Sequence, residues 1–229
     1  MRILVIGDST VLCKYKYKIS PEDTFGFILK NHFKLEGNHD VFIIGNLRNY
    51  IGDHCRPIRI LFDIKQFEPD VIIISLGSSD CSPAVFPMEK NNIFFPLPKI
   101  RRKKSFRTYM KLRYHYKRRF QKFKVNLTEF KFYYQKLLEE ILKIGTKPIL
   151  INITKPNQNY LKRANIRLEN IINCNKILFN IAKINKCKLV DIYSLIEKDP
   201  YLISNAGFHL SKNGHKKLAE ILLSEIDSL

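Results

Sequence analysis

Several things are scarce in this chain, and each scarcity narrows what it can be. No apolar run approaches the roughly 18 residues needed to cross a bilayer as a helix, so no membrane-spanning segment is expected. The first apolar stretch stops at Gly7-Asp8-Ser9 rather than at a small-residue cleavage site. No secretory signal is read there, and the expected location is cytoplasmic, with association to a membrane surface as the variant. The five cysteines (Cys13, Cys55, Cys81, Cys174 and Cys187) are odd in number and nowhere spaced CxxC. That pattern indicates neither a disulfide framework nor a zinc site, and predicts mostly small core residues. No internal repeat is visible. Acidic residues are few: 21 Asp and Glu stand against 40 Lys and Arg, for a net charge of +19. The deficit is local, because from Lys99 to Lys124 the chain reads KIRRKKSFRTYMKLRYHYKRRFQKFK without one acidic side chain. Such a field favours acidic partners: phosphates, anionic lipid, an acidic polysaccharide or nucleic acid.

What is present is an ordinary globular composition. The 229 residues, 45% of them apolar, suffice for one domain with a real core. Continuous apolar, β-branched runs at 2–7, 39–45, 69–77, 147–153 and 187–193 predict five strands. Helical patterns lie between them: 22–33, started by Ser20-Pro21; 57–67; 126–145, with Asn126 and Glu129 as a capping box and Gly145 as a stop; 164–185; and 211–226, capped by Ser211. Pro83, Pro87, Pro96 and Pro98 predict loop after the third strand. From Phe106 a helix is expected, with Tyr109, Leu112, Tyr116, Phe120 and Phe123 on one face and Lys and Arg around the rest. Apolar strands separated by helices imply a parallel sheet covered on both sides. The expected fold is α/β: a three-layer α/β/α sandwich on a five-stranded parallel sheet, flavodoxin-like. It forms a single domain over 1–229, with the basic aromatic stretch around 82–125 inserted in the third βα connection.

In such a fold, chemistry collects outside the carboxyl ends of the strands. Three strands end in candidate residues: Gly7-Asp8-Ser9, Gly45-Asn46 and Gly77-Ser78-Ser79-Asp80. A fourth candidate block, NAGFHLSKNGH, precedes the last helix and contains His209. Asp8 reads as a structural hydrogen-bond acceptor, Asp80 as an organiser of the third loop, and Asp191 as structural. His54, beside Asp53 and Cys55, reads as surface loop, and His215 as a solvated residue of the last helix.

This constellation resembles the SGNH (GDSL-type) hydrolases. The resemblance spans the chain: VIGDST near the start, a glycine after the second strand, GSSD after the third, and FHLSKNGH near the end. It implies that Ser9 is the nucleophile and His209 its general base. The oxyanion hole would comprise the N–H of Ser9, the N–H of Gly45 and a donor from Ser79, with Asp8, Gly77 and Asp80 in support. Asn46 and Asn49 are the alternatives to Gly45. A hydroxyl needs a base before it attacks, and a developing oxyanion needs preorganised donors, so these roles suit these residue types. The sequence departs from the family twice. Ala206 stands three residues before His209, where the family has Asp, and Ser79 stands where the third block has Asn. A Ser9–His209 dyad is therefore expected, with a backbone carbonyl orienting the imidazole in place of the missing acid.

The resemblance implies a serine esterase or O-acyltransferase. LGSSDCSP also resembles a variant third block, LGxxDCxP, of SGNH-like proteins from bacterial surface-polysaccharide gene clusters. The expected substrate is therefore a carbohydrate or an anionic glycoconjugate. Neither metal nor redox cofactor is implied; acyl-CoA is the candidate donor of a transferase. Two other classes stand beside this one. Ala206 and Ser79 motivate a catalytically degenerate fold that only binds. The basic segment 99–124 motivates peripheral membrane contact or, secondarily, a nucleic-acid adaptor, although no RNA- or DNA-binding motif is present.

Overall fold

The structure is a computed structural model that describes residues 1–37, 39–45, 50–81, 125–164 and 168–229. The helix expected from Phe106, the rest of the 82–124 insertion, and Asn46 and Asn49 lie outside the described residues. Chain order is β1 (Arg2–Gly7), α1 (Phe25–Glu36), β2 (Asp40–Gly45), α2 (Ile51–His54), α3 (Pro57–Asp63), β3 (Val71–Ser75), α4 (Leu127–Lys143), β4 (Lys147–Ile151), α5 (Gln158–Ala164), α6 (Leu168–Ile184), β5 (Lys188–Val190), α7 (Ile192–Lys198) and α8 (Lys212–Asp227).

The strands form one parallel sheet in the order β2-β1-β3-β4-β5. Successive side chains of a strand point to opposite faces, and here both faces are dry. Ile3 and Val5 of β1, Val71 and Ile73 of β3, and Ile149 and Ile151 of β4 join Phe25, Leu29 and Phe33 of α1 and Leu218, Ala219, Leu222 and Ile226 of α8. Leu4, Ile6, Ile72, Ile74 and Leu150 face the other way, onto Phe130, Tyr134, Leu137 and Ile141 of α4 and Ile171, Cys174, Leu178 and Ile181 of α6. The three layers follow from this alternation. Each fully buried Ile or Leu contributes on the order of 2 kcal/mol of transfer free energy. The chain steps from β1 to β2 on one side and then returns to β3 on the other, so the direction of winding reverses between β1 and β3. That seam opens a crevice at the carboxyl ends of the two strands.

Two helices carry the caps their sequences predict. The Asn126 side chain accepts from the Glu129 N–H at 2.8 Å, and the Ser211 hydroxyl accepts from the Gly214 N–H at 3.1 Å. At α1 the start differs from the expected one. Ser20 and Asp23 close a capping box around the 3-10 turn Pro21–Asp23, and the α-helix starts only at Phe25. The last strand is shorter than expected because Asp191 ends it and caps α7, its carboxylate accepting the Ser194 N–H at 3.0 Å. Two histidines also depart from expectation. His54 and His215 are each 1% exposed, not surface residues.

Candidate active site

The β1–β3 seam is closed by one carboxylate. Asp8 is fully buried, and its N–H donates to Ser75 O at 3.2 Å, one step beyond the β1–β3 ladder. Its side chain accepts three donors: the Thr10 N–H at 2.9 Å, the Ser79 N–H at 3.2 Å and the Ser78 hydroxyl. Burial raises the Asp8 pKa against these hydrogen bonds, which lower it. Thr10 is tied in as well, its hydroxyl 2.9 Å from Ser75 Oγ. The residues on both sides of Ser9 are thus clamped, while Ser9 itself is only partly buried. Gly7 makes the turn possible, since an added Cβ would lie 2.4 Å from Val11 Cγ1 and 3.0 Å from Ser75 O.

The third loop is equally constrained. Gly77 adopts φ +114°, and a Cβ there would press on Ile153 at 3.0 Å and Phe130 at 3.1 Å. The buried Tyr134 hydroxyl donates to Leu76 O at 3.2 Å, and Asp80 accepts the Ile51 N–H at 3.1 Å, linking this loop to α2. The Ser79 N–H, spent on Asp8, leaves its hydroxyl as the donor this residue can offer. Gly45 closes the β2 ladder opposite Gly7, and an added Cβ would lie 2.5 Å from Leu12 and 2.6 Å from Val11. Leu12 and Val11 would have to shift to admit a side chain there.

His209 lies in a loop closed on itself: the Ser204 N–H donates to His209 O at 2.8 Å, and Ile203 bridges Leu210. The Thr154 hydroxyl holds Phe208 O at 3.0 Å, and Phe208 stacks on Tyr160 with ring centroids 5.3 Å apart. Gly214, at the start of α8, has no room for a side chain, because a Cβ would fall 2.1 Å from Leu202 O. A cavity lies beside the Ser9 turn and the His209 loop, lined by Thr10, Ser78, Asn152, Thr154 and Leu210 among others. It is flanked by the neighbours of Ser9, Ser79 and His209.

Burial, then the nearby Lys14 cation, pushes the His209 pKa down to about 4. The imidazole is therefore neutral, and able to take a proton, at any pH well above that. Its Nδ1 is sealed from solvent and meets no hydrogen-bond acceptor among the described residues. The expectation that a backbone carbonyl would orient it is thus not met. The cause is local: Ala206, itself buried, offers a methyl group where the family has a carboxylate. No hydrogen bond joins Ser9 to His209 among the described residues.

Behind His209, the ring of His215 stacks on Phe25, and its Nδ1 accepts the Phe25 N–H at 3.3 Å. Burial lowers its pKa to about 4. Sequence reasoning missed Ser78 as the partner of Asp8, although the tandem Ser78-Ser79 was its one trace.

No grouping of His, Cys, Asp and Glu suited to a metal ion occurs among the described residues, and no helix there is long and apolar enough to cross a membrane. Comparison with solved structures finds the same fold across the whole chain. A lipase/acylhydrolase from Enterococcus faecalis is 16% identical with a TM-score of 0.68, covering 100% of this chain and 96% of that one. The acetyl xylan esterase AlAXEase is 16% identical with a TM-score of 0.66, covering 99% and 100%. An acetyl xylan esterase from Geobacillus stearothermophilus is 18% identical with a TM-score of 0.65, covering 98% and 94%. No curated protein matches the sequence. The sequence does match the family model described as GDSL-like Lipase/Acylhydrolase, over residues 3–222. A match of that extent settles the matter: the chain belongs to the GDSL-like lipase/acylhydrolase family and is an ester hydrolase of the serine type, whose reaction needs no cofactor.

Proposed function

We propose that this protein removes or transfers an O-acyl group on a carbohydrate or anionic glycoconjugate, with Ser9 as nucleophile and His209 as base. The observation that carries the reading is the Asp8 clamp. It holds the residue after Ser9, itself partly exposed, at the β1–β3 seam and fixes the third loop beside it. His209 takes the Ser9 proton as the hydroxyl attacks the ester carbonyl. The tetrahedral oxyanion is met by the Ser9 N–H, the Ser79 hydroxyl and the N–H of Gly45 at the end of β2. His209 then protonates the leaving alcohol, and the acyl-enzyme is resolved by water or by a sugar hydroxyl. With an acyl-CoA donor and a sugar acceptor the same steps give an O-acyltransferase. The names of two structural neighbours, both acetyl xylan esterases, support a carbohydrate ester. The net charge of +19 supports an acidic one.

Labelling tests this reading. An alkyl fluorophosphonate is expected to add its phosphonyl mass to Ser9 alone, and no label on Ser9 would contradict it.

A further inference from the structure

The loop that carries His209 holds two sealed polar atoms without a hydrogen-bond partner among the described residues, His209 Nδ1 and Ser204 Oγ. They belong to facing residues of one short antiparallel ribbon. The Ser211 N–H donates to Leu202 O at 2.8 Å and the Ser204 N–H to His209 O at 2.8 Å, one bond on each side of the bridge between Ile203 and Leu210. Ser204 therefore stands directly opposite His209. The Gly207 N–H, donating to Ser204 O at 2.8 Å, closes the turn between them. Side chains alternate between the two faces of a strand. Ile203 and Leu210 lie in the core cluster with Phe25 and Leu218, so Ser204 and His209 share the opposite face. Directly opposed Cβ atoms are about 5 Å apart in such a pair. Oγ stands one bond from its Cβ and Nδ1 two bonds from its own, so rotating the Ser204 hydroxyl about χ1 brings the two atoms within hydrogen-bond reach.

Burial makes that bond favourable. Ser204 is 8% exposed, and a sealed polar atom has no water to turn to. One hydrogen bond satisfies both atoms at once. Its consequence is the tautomer. Above about pH 4 His209 is neutral and carries one ring proton. The nitrogen that holds this proton is set by the hydrogen bond it makes. A base for Ser9 needs its outer nitrogen bare, and a ring in the wrong tautomer cannot take the proton. The acid that would fix this is absent, because Ala206 stands in its place. We propose that Ser204 is a positioning residue whose hydroxyl accepts the Nδ1–H of His209 and holds the imidazole in the tautomer whose Nε2 takes the Ser9 proton. The proposal rests on the assignment of Ser9 and His209 as the catalytic pair. The hydroxyl is neutral, so it supplies orientation and tautomer but not the charge of a carboxylate.

The test reads the ring itself. Long-range proton–nitrogen correlation spectra of nitrogen-labelled protein at neutral pH separate the protonated ring nitrogen from the bare one, with His209 assigned by the signals missing in His209→Gln. The wild type is expected to carry the proton on Nδ1, and Ser204→Ala to shift it toward Nε2. With 4-nitrophenyl acetate, Ser204→Ala is expected to lower kcat by about 10-fold and leave KM in place, the lower end of what a hydrogen bond to a charged group is worth. Ser204→Thr keeps the hydroxyl and retains most of kcat and the Nδ1 tautomer. A wild type whose His209 proton sits on Nε2 overturns the proposal. So does a Ser204→Ala variant that melts like the wild type and keeps both the Nδ1 tautomer and kcat. Failure of the esterase reading looks different: no turnover by the wild type, or turnover that Ser9→Ala leaves intact.

Discussion

The Asp8 carboxylate accepts the Ser78 hydroxyl across the seam between β1 and β3. One side chain thus ties the Ser9 turn to the third loop.

Removing that acid leaves two N–H groups and a hydroxyl without their acceptor in a dry site. Asp8→Ala is expected to destabilise the fold by about 3 kcal/mol, read as a shift in the urea midpoint. Esterase activity should fall further than the folded fraction does, because the crevice loses its geometry. A variant with wild-type stability and activity would show that the clamp is dispensable.

The family acid can be restored. Ala206→Asp places a carboxylate three residues before His209, where Nδ1 now has no acceptor. The expected gain in kcat is about 10-fold or more, since an orienting acid is worth orders of magnitude in triad enzymes. A carboxylate also stabilises the imidazolium. The acid limb of the kcat/KM profile should therefore move upward from about pH 4, the wild-type value for His209. An unchanged profile and rate would mean that the new acid does not reach the ring.

Acid stability follows from the buried histidines. His54 and His215 both fall from an ordinary 6.5 to about 4, chiefly through burial. Between those pH values the unfolded chain binds protons that the folded chain refuses, so stability is lost as pH falls from about 6.5 toward 4. At about 1.4 kcal/mol for each tenfold in proton affinity, the two together remove several kcal/mol. Urea midpoints at pH 7 and pH 4.5 should differ accordingly, and His215→Gln, neutral at both, should narrow the gap. A wild-type midpoint independent of pH over this range would contradict the assignment.

β1, β2 and β3 were legible because each holds an unbroken apolar run, and α4 and α8 because Asn126, Glu129 and Ser211 are side chains whose capping role is local. Short helices were not legible: four residues, Ile51–His54, cannot display a period. Ser20-Pro21 misled because a capping box also closes a 3-10 turn. At the site, Gly7, Ser9, Gly77 and His209 were legible as strand-end and loop residues in a recognisable order. The partner of Asp8 and the burial of His54 and His215 were not. Each depends on contacts between segments far apart in sequence, to which no local pattern is obliged.

The central claim is that Ser9 is the nucleophile, and its most direct measure is kcat/KM for 4-nitrophenyl acetate in the wild type and in Ser9→Ala. The predicted result is turnover by the wild type and a loss of about 1,000-fold or more in the variant, with the same unfolding midpoint in both. Equal rates in the two proteins, or no turnover by either across a panel of acyl donors, would contradict it.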